Sequence, residues 1–319
     1  MTAPFIHTEK NAPYIYLTHV AALMPCVVFA VFAYGICAVI LLSMSVAGFM
    51  LTDIVAAKVI RRHIKGEYFD VSSIVSGLIF GLMLSPKTPL AAVIAGILFG
   101  SVIVKQLFGG AGSNILLPST AGILFVQTIY PSAFAEFAKP LENWFAIVNL
   151  VSGKPSVPDY SELSYPEIIS GFAGSLLGVS CCLMIILGLV FLLVKGTIRI
   201  YAPAGYLITL LAGYPLTHLA NIFTAEGVHS YLLFILSSGV LFIAVYCLGD
   251  YTTIPSRPLS ASTAGIVCGI LTIILCGRVS VVTMLTAPVV AVNFMSFVLD
   301  YFSKSISRRG KRSREVDIL

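Results

Sequence analysis

The most restrictive feature of this chain is the length of its apolar runs. From Tyr14 to Ala57, Asp53 is the only Asp, Glu, Lys or Arg in 44 consecutive residues. Over the whole chain 58% of residues are hydrophobic and 10% are charged, whereas a soluble domain has about 25% charged residues. One globular core cannot bury so much apolar surface, and such runs are typical of helices that cross a bilayer. The sequence therefore predicts an all-α integral membrane protein.

Apolar runs bounded by charges and prolines predict about ten transmembrane helices. They cover residues 14–35, 36–58, 71–84, 90–108, 115–130, 168–194, 200–214, 231–248, 259–276 and 279–302. The runs that start at Val71, Ile115 and Ile200 are shorter than the ~20 residues that cross a hydrocarbon core. We expect these three to be half-buried or broken helices, whose free backbone groups need protein or a cavity beside them.

The basic residues predict the orientation of the chain. With a cytoplasmic N-terminus, fifteen of the 19 Lys and Arg lie on the cytoplasmic side, which leaves Lys87, Lys139, Lys154 and Arg278 outside. This asymmetry follows the positive-inside rule and predicts that both termini are cytoplasmic. The net charge of +5 is then explained by the orientation of the chain in the lipid bilayer. We expect no nucleic-acid partner, because no folded basic module is present.

A weak internal repeat links two of the predicted helices. PLAAVIAGILFG (89–100) and PLSASTAGIVCG (258–269) share seven of twelve residues. The copies lie in the fourth and ninth spans, an offset of five, so the repeat predicts two inverted five-helix halves, residues 1–165 and 166–303, followed by a basic cytoplasmic tail, 304–319. The first half would include an external segment, 131–165. The alternative is that two independent Ala/Gly-rich packing faces resemble each other by composition.

A glycine cluster, FGGAGSNILLPSTAG (108–122), separates the fourth and fifth spans. It is no P-loop, because no Gly-Lys-Ser/Thr follows and no strand precedes it. Gly109, Gly110 and Gly112 allow the backbone to approach a ligand closely, and Asn114 adds a side-chain amide. The segment is either a plain turn or one wall of a binding site.

A second polar loop, CLGDYTTIPSRP (247–258), is predicted on the same side of the membrane. Asp250, Thr252 and Thr253 can cap a helix, or they can hydrogen-bond a heterocycle such as a flavin or a quinone. If the two loops meet, they form a site.

Among the charged or titratable residues within the apolar spans, three are candidates for a role in a site. Asp53 is a candidate for an ion pathway, because a carboxylate inside the membrane is costly; the alternative is that it pairs with Lys58, Arg61 and Arg62 nearby. His19 and Lys105 could line a cavity or snorkel to the interface. The seven cysteines show no metal-binding spacing and are interpreted as small buried hydrophobes.

Several motifs, in order, resemble the D subunit of the Rnf complex and its relative NqrB. They are SPKTPL, KQLFGGAGSN with Pro118, GSLLGVS, GDYTTIP and VNFMSFVLDYF. The resemblance implies a urea-channel-like fold of two inverted five-helix repeats. It also implies a membrane subunit that, with other subunits of an Rnf-type complex, couples electron transfer between ferredoxin and NAD to Na⁺ or H⁺ export.

The resemblance implies flavin cofactors as well. Family members carry FMN on a threonine of a Ser-Gly-Ala-Thr motif in the external segment, and a second, non-covalent flavin within the membrane. Here Ser152 and Gly153 match that motif, but Lys154 and Pro155 replace the alanine and the threonine, and Ser156 is displaced by one position. Ser152 and Ser156 are the remaining candidates for a covalent link. The change favours FMN or riboflavin held non-covalently.

Other positions bear on the non-covalent site. Leu117 replaces the asparagine that usually precedes the proline, and Val179 replaces a glutamate. The retained positions, which include Asn114, Asp250 and Thr253, favour a flavin site facing the cytoplasm. Two alternatives stay open: a cofactor-free channel or transporter of the same fold, or a scaffold subunit that has lost its flavins.

Overall fold

The computed structural model describes residues 11–59, 70–110, 112–134, 171, 176–179, 181–217, 231, 234–236 and 238–316. Regular secondary structure within these residues is helical, with no strand. Among them, Ala12–Val59, Pro258–Leu275 and Val281–Tyr301 are long and apolar enough to cross a membrane, and shorter apolar helices accompany them. The all-α, multi-pass membrane prediction is confirmed; the count of ten spans and the inverted repeat stay predictions.

The described part of the chain contains nine α-helices, two of which continue as π-helices. In order they are α1 (Ala12–Val59), α2 (Val71–Leu82), α3 (Leu90–Ile97) with π1 (Leu98–Gln106), α4 (Pro118–Ile129), α5 (Cys182–Lys195), α6 (Tyr201–Thr217), α7 (Val240–Phe242) with π2 (Ile243–Cys247), α8 (Pro258–Leu275) and α9 (Val281–Val316). A short 3₁₀ turn, Pro131–Phe134, follows α4.

Helix α1 consists of two helical segments that meet at Gly35. This glycine has φ 60° and ψ −137°, which lie outside the helical region and which only glycine adopts at little cost. A straight helix of 48 residues would be roughly 72 Å long, more than twice the ~30 Å hydrocarbon core. The break coincides with the predicted boundary between the first two spans.

Two of the three spans predicted to be short are confirmed as short helices. Helices α2 and α4 each have 12 residues, so each rises only about 18 Å. The third, α6, has 17 residues. Helix α2 begins at a capped end, since Asp70 accepts a hydrogen bond from the Ser72 amide at 2.9 Å. Short helices end inside the protein, so the backbone groups at their ends need hydrogen-bond partners there.

The prediction of a continuous sixth span, 168–194, is wrong. Residues 176–179 form a bend and a turn, and α5 begins only at Cys182. The turn is held by the end of α2: the Leu177 amide donates to the Leu84 carbonyl at 3.0 Å, and the Gly178 amide donates to the Leu82 carbonyl at 3.0 Å. These bonds satisfy backbone groups that a continuous helix would have satisfied internally.

The eighth span, 231–248, is also discontinuous rather than a single helix. The chain bends at Ser238 and Gly239, where Gly239 has φ +90°, a conformation that disfavours any residue with a Cβ. Beyond the bend α7 has three residues, and π2 carries the chain to Cys247. Val179, in the sixth-span turn, packs against Gly239, so the two interruptions meet.

Close helix packing relies on small residues. Helix α8 lies against α6, where a Cβ on Gly205 would lie 2.7 Å from the Ser262 carbonyl oxygen and one on Gly269 would lie 2.8 Å from Thr209 Cβ. Such contacts let helices approach in the absence of a hydrophobic driving force. Helix α9 packs on α8 and α4. It continues to Val316, beyond the predicted end at residue 302 and through the basic tail.

Candidate functional site

The glycine loop between π1 and α4 has a backbone that glycine makes possible. Gly109, Gly110 and Gly112 have φ values of +107°, +90° and +84°, so substitution by any residue with a side chain would strain the loop. The Gly110 amide donates to the Lys105 carbonyl at 3.0 Å, and the Ser113 amide donates to the Gly110 carbonyl at 3.2 Å. The loop therefore turns tightly and brings Gly112 and Asn114 to one side.

The second loop is organised by Asp250. One carboxylate oxygen, Oδ2, accepts hydrogen bonds from the amides of Thr252 at 3.1 Å and Thr253 at 3.2 Å. It also accepts from both threonine hydroxyls. Asp250 therefore does not cap a helix, the alternative predicted from the sequence; it closes a turn on its own loop, and α8 begins only at Pro258 with Arg257 as its N-cap. Within the described residues, Oδ2 accepts all of the hydrogen bonds to the Asp250 side chain, so Oδ1 remains available as an acceptor.

The two loops line one cavity of about 190 Å³. The first loop contributes Gly112 and Asn114, and the second contributes Asp250, Tyr251 and Thr252. One water needs only about 10–15 Å³, so the space suits part of an organic ligand. The two loops thus meet at this cavity.

The remaining walls come from α1, α2 and π2. Tyr16 and His19 line the cavity from the first turns of α1, Ser72 and Ser76 from the start of α2, and Tyr246 from π2. Most of the lining is apolar, with polar groups concentrated on α1, α2 and the two loops. This combination of an apolar body and a few convergent polar groups is typical of sites for small organic ligands.

Two buried acceptors in this wall have no hydrogen-bond partner among the described residues. They are His19 Nε2 and Asn114 Oδ1. His19 is only 5% exposed, and a buried polar atom without a partner costs about 1–3 kcal/mol. The wall therefore fits a ligand that supplies hydrogen-bond donors, as the imide N–H and hydroxyl groups of a flavin do.

The other predicted site residues lie outside this cavity. Gly109 and Gly110 shape the first loop without lining the cavity, and Thr253 faces a neighbouring cavity of about 360 Å³. Ser152 and Ser156, the candidates for covalent attachment, fall outside the described residues.

The neighbouring cavity shares Asn114, Tyr251 and Thr252 with the first. Its wall also carries Arg199, whose guanidinium lies 4.5 Å from the centre of the Tyr251 ring. Burial raises the pKa of Tyr251, and the charge of Arg199 opposes this shift. The Tyr251 phenol therefore stays protonated at physiological pH and can donate a hydrogen bond.

Asp53 belongs to a buried polar network beside the cavity. The Lys105 ammonium donates to Ser72 Oγ at 2.8 Å and Ser73 Oγ at 2.6 Å, and it lies 3.5 Å from Asp53 Oδ2. Asp53 also accepts from Ser73 at 2.7 Å and from the Gln106 amide. Both members of the ion pair are at most 5% exposed. Ser72 lines the cavity as well, so one hydroxyl connects the network to the candidate site.

The sequence did not identify Tyr16, Ser76 or Tyr246 as site residues. Tyr246 Oη donates to the Ala22 carbonyl at 2.7 Å and so fixes π2 against α1. No local motif marks these three residues, since each reaches the cavity only through helix packing. His19, interpreted from the sequence as a possible cavity residue, does line this cavity.

Comparisons with known proteins agree with the resemblance carried by the motifs. The D subunit of the Na(+)-translocating ferredoxin:NAD(+) oxidoreductase complex of Acetobacterium woodii is 24% identical over 277 residues, 86% of this chain and 83% of that protein. The B subunit of the Na(+)-translocating NADH-quinone reductase of Yersinia pestis is 32% identical over 150 residues, 42% of this chain and 34% of that protein.

A third relative has a similar name. The D subunit of an ion-translocating oxidoreductase complex of Shewanella sediminis is 34% identical over 109 residues, 34% of this chain and 31% of that protein. The sequence pattern of the NQR2, RnfD, RnfE family matches residues 1–307. Because this match covers nearly the whole chain, the protein belongs to the NQR2, RnfD, RnfE family.

Proposed function

We propose that this chain is the membrane subunit of an Rnf-type complex that couples electron transfer between ferredoxin and NAD to Na⁺ or H⁺ export. Its partners are the other subunits, and it lies in the bacterial inner membrane with both termini in the cytoplasm. The relatives named above are subunits of ion-translocating oxidoreductase complexes, which supports this assignment.

In this role the chain binds FMN or riboflavin non-covalently in the cavity between the two loops. The observation that carries the proposal is that Gly112, Asn114, Asp250 and Thr252, from two distant loops, line one cavity. The flavin supplies the redox chemistry, while the chain supplies position and electrostatics. Asn114 and Asp250 offer acceptors to the polar edge of a flavin, and the apolar walls suit its ring.

Ion translocation is assigned to the network of Asp53. A carboxylate that is buried within a membrane helix and held beside a lysine is typical of ion and proton pathways. Through Lys105 and Ser72 the network reaches the wall of the flavin cavity. A change of charge in the cavity would therefore act on the ion pair over a short distance and in surroundings of low dielectric constant.

Replacing Asp250 by alanine tests the flavin assignment. The variant loses the turn closed by Oδ2 and the acceptor at the cavity wall, so we expect the purified complex to lose one acid-extractable flavin. Ser256→Ala is the matched control, because Ser256 lies in the same loop, is exposed and lines only the neighbouring cavity. Flavin is quantified by fluorescence after acid precipitation. Equal flavin content in wild type, Asp250→Ala and Ser256→Ala would refute the assignment.

A further inference from the structure

The polar wall of the candidate cavity carries hydroxyl donors such as Tyr251, but it also carries three acceptors that bear on the kind of ligand the cavity selects. His19 Nδ1 lies 2.8 Å from the Ile15 carbonyl oxygen, one turn earlier on α1. A carbonyl can only accept, so Nδ1 must carry the proton. In the neutral imidazole, Nε2 then carries no proton, and its lone pair can accept a hydrogen bond.

His19 lines the cavity and is 5% exposed, and its Nε2 has no hydrogen-bond partner in the described part of the chain. Nε2 lies on the edge of the ring opposite the bond to Ile15, away from that backbone carbonyl. The atom itself is buried, so a ligand donor would reach it after a small shift of the ring toward the cavity, and such a donor would satisfy it.

Two further acceptors lie in the same wall. Asn114 Oδ1 is buried and has no partner among the described residues, and Asp250 keeps Oδ1 available while Oδ2 closes its own loop. Three acceptors in one wall match a ligand rich in N–H or O–H donors. A ligand that carries only carbonyl oxygens could accept from hydroxyls such as that of Tyr251, but it would leave these three acceptors unpaired.

We infer that His19 is a specificity-determining residue, which through Nε2 accepts a hydrogen bond from an N–H or O–H group of the ligand. The cavity thereby selects the imide edge of a flavin, or a hydroquinone, against ligands whose polar edge has only acceptors, such as a quinone. The flavin part of this inference rests on the proposed function; the donor requirement does not.

Two pairs of small probes test the inference. Lumiflavin has one donor, its imide N–H, and 3-methyllumiflavin has none; durohydroquinone has two O–H donors, and duroquinone has none. Each probe is titrated anaerobically into the purified complex depleted of dissociable flavin. Because a buried acceptor left unpaired costs about 1–3 kcal/mol, we expect lumiflavin to bind about tenfold more tightly than its methylated analogue.

Variants on one turn of α1 assign the preference to His19. In His19→Leu the tenfold difference should disappear, whereas His19→Gln, which can keep an acceptor, should retain part of it. Thr18→Val is the control, because Thr18 is buried and bonds to the same Ile15 carbonyl but does not line the cavity. It should bind both probes as the wild type does.

The outcomes separate this inference from the flavin assignment. Equal binding of lumiflavin and its analogue to the wild type would overturn the donor requirement while flavin binding stands. A preference that persists in His19→Leu would remove His19 as the determinant. If neither flavin probe binds but durohydroquinone binds more tightly than duroquinone, the flavin assignment fails and the donor requirement stands. If no probe binds, both fail.

Discussion

Asp53 lies in a buried polar network to which we assign ion translocation. Its carboxylate lies 3.5 Å from the Lys105 ammonium and accepts a hydrogen bond from Ser73 at 2.7 Å. A buried pair stays charged only when hydrogen bonds compensate for lost hydration, and here Ser72, Ser73 and Gln106 provide them. Under the proposed function, such a pair responds to a nearby change of charge by admitting or releasing a cation.

Replacing Asp53 by asparagine removes the charge and keeps a side chain of the same shape. We expect redox-driven uptake of cations into vesicles to fall about tenfold, which corresponds to the loss of ~1.4 kcal/mol of interaction. The flavin content should stay unchanged, because Asp53 does not line the cavity. Uptake is followed with radioactive sodium and with a pH-sensitive dye. Asp53→Glu should retain transport, and normal uptake by Asp53→Asn would exclude Asp53 from the pathway.

For Asp53, the sequence predicted that the carboxylate needs a basic partner but did not identify the residue that provides it. Lys58, Arg61 and Arg62 are close to Asp53 in the chain, whereas the structure brings in Lys105 from π1, 52 positions away. Asn114, Asp250 and Thr252 were identified because two loops on one side can meet. Tyr246 was not, since its position depends on the packing of π2 against α1.

Among the elements, π1 packs closely against the start of α4, which forms part of the cavity wall. Gly100, within π1, packs against the first residue of α4: a Cβ there would lie 2.5 Å from the Pro118 carbonyl oxygen and 3.3 Å from Phe49 Cζ. Pro118 itself lines the cavity. A backbone carbonyl cannot rotate away as a side chain can. Any side chain at position 100 must therefore displace the start of α4.

Gly100→Ala should therefore destabilise the protein by about 1–3 kcal/mol and reduce its flavin content. Gly213→Ala, in α6, is the control, because its Cβ would meet the terminal Cδ1 of the half-buried Ile273 side chain, at 2.5 Å, and the next atom only at 3.9 Å, so that the methyl group can rotate away. That variant should be nearly neutral, since alanine favours helices by up to about 1 kcal/mol over glycine. Thermal unfolding of the complex in detergent compares the two. Equal stability of both variants would contradict the packing argument.

The element scale also shows where sequence patterns stop being informative. The shortness of α2 and α4 could be predicted, because prolines and charges bound those apolar runs. The breaks near Gly178 and at Gly239 could not, since residues 168–194 and 231–248 read as continuous apolar runs. Hydrogen bonds between distant segments, from Leu177 and Gly178 to the end of α2, stabilise the first break, and hydropathy does not reveal them.

Over the whole molecule, the proposed inverted repeat places its two copies in opposite directions relative to the cavity. The helix that carries the first copy runs through π1 to the glycine loop that lines the cavity, whereas the second copy begins, in α8, just after the Asp250 loop. This arrangement supports the proposed inverted repeat. It also implies that both loops lie on one face of the membrane.

Labelling of introduced cysteines tests this arrangement. Ser256, near the cavity, is exposed, and Val279, beyond the far end of α8, is 39% exposed. We expect a membrane-impermeant maleimide, added to intact cells, to label Val279→Cys and to spare Ser256→Cys until the membrane is opened. The wild-type chain gives the background from its native cysteines. Labelling of both positions from outside would contradict the proposed topology.

The central claim is that a flavin occupies the cavity between the Asn114 and Asp250 loops. A cryo-EM map of the purified complex tests it most directly. The account predicts planar density for a three-ring system in that cavity, with donor groups beside His19 Nε2 and Asn114 and no covalent link to the chain. A cavity filled by lipid or closed by side chains, with flavin density attached to the chain elsewhere or held only by partner subunits, would contradict it.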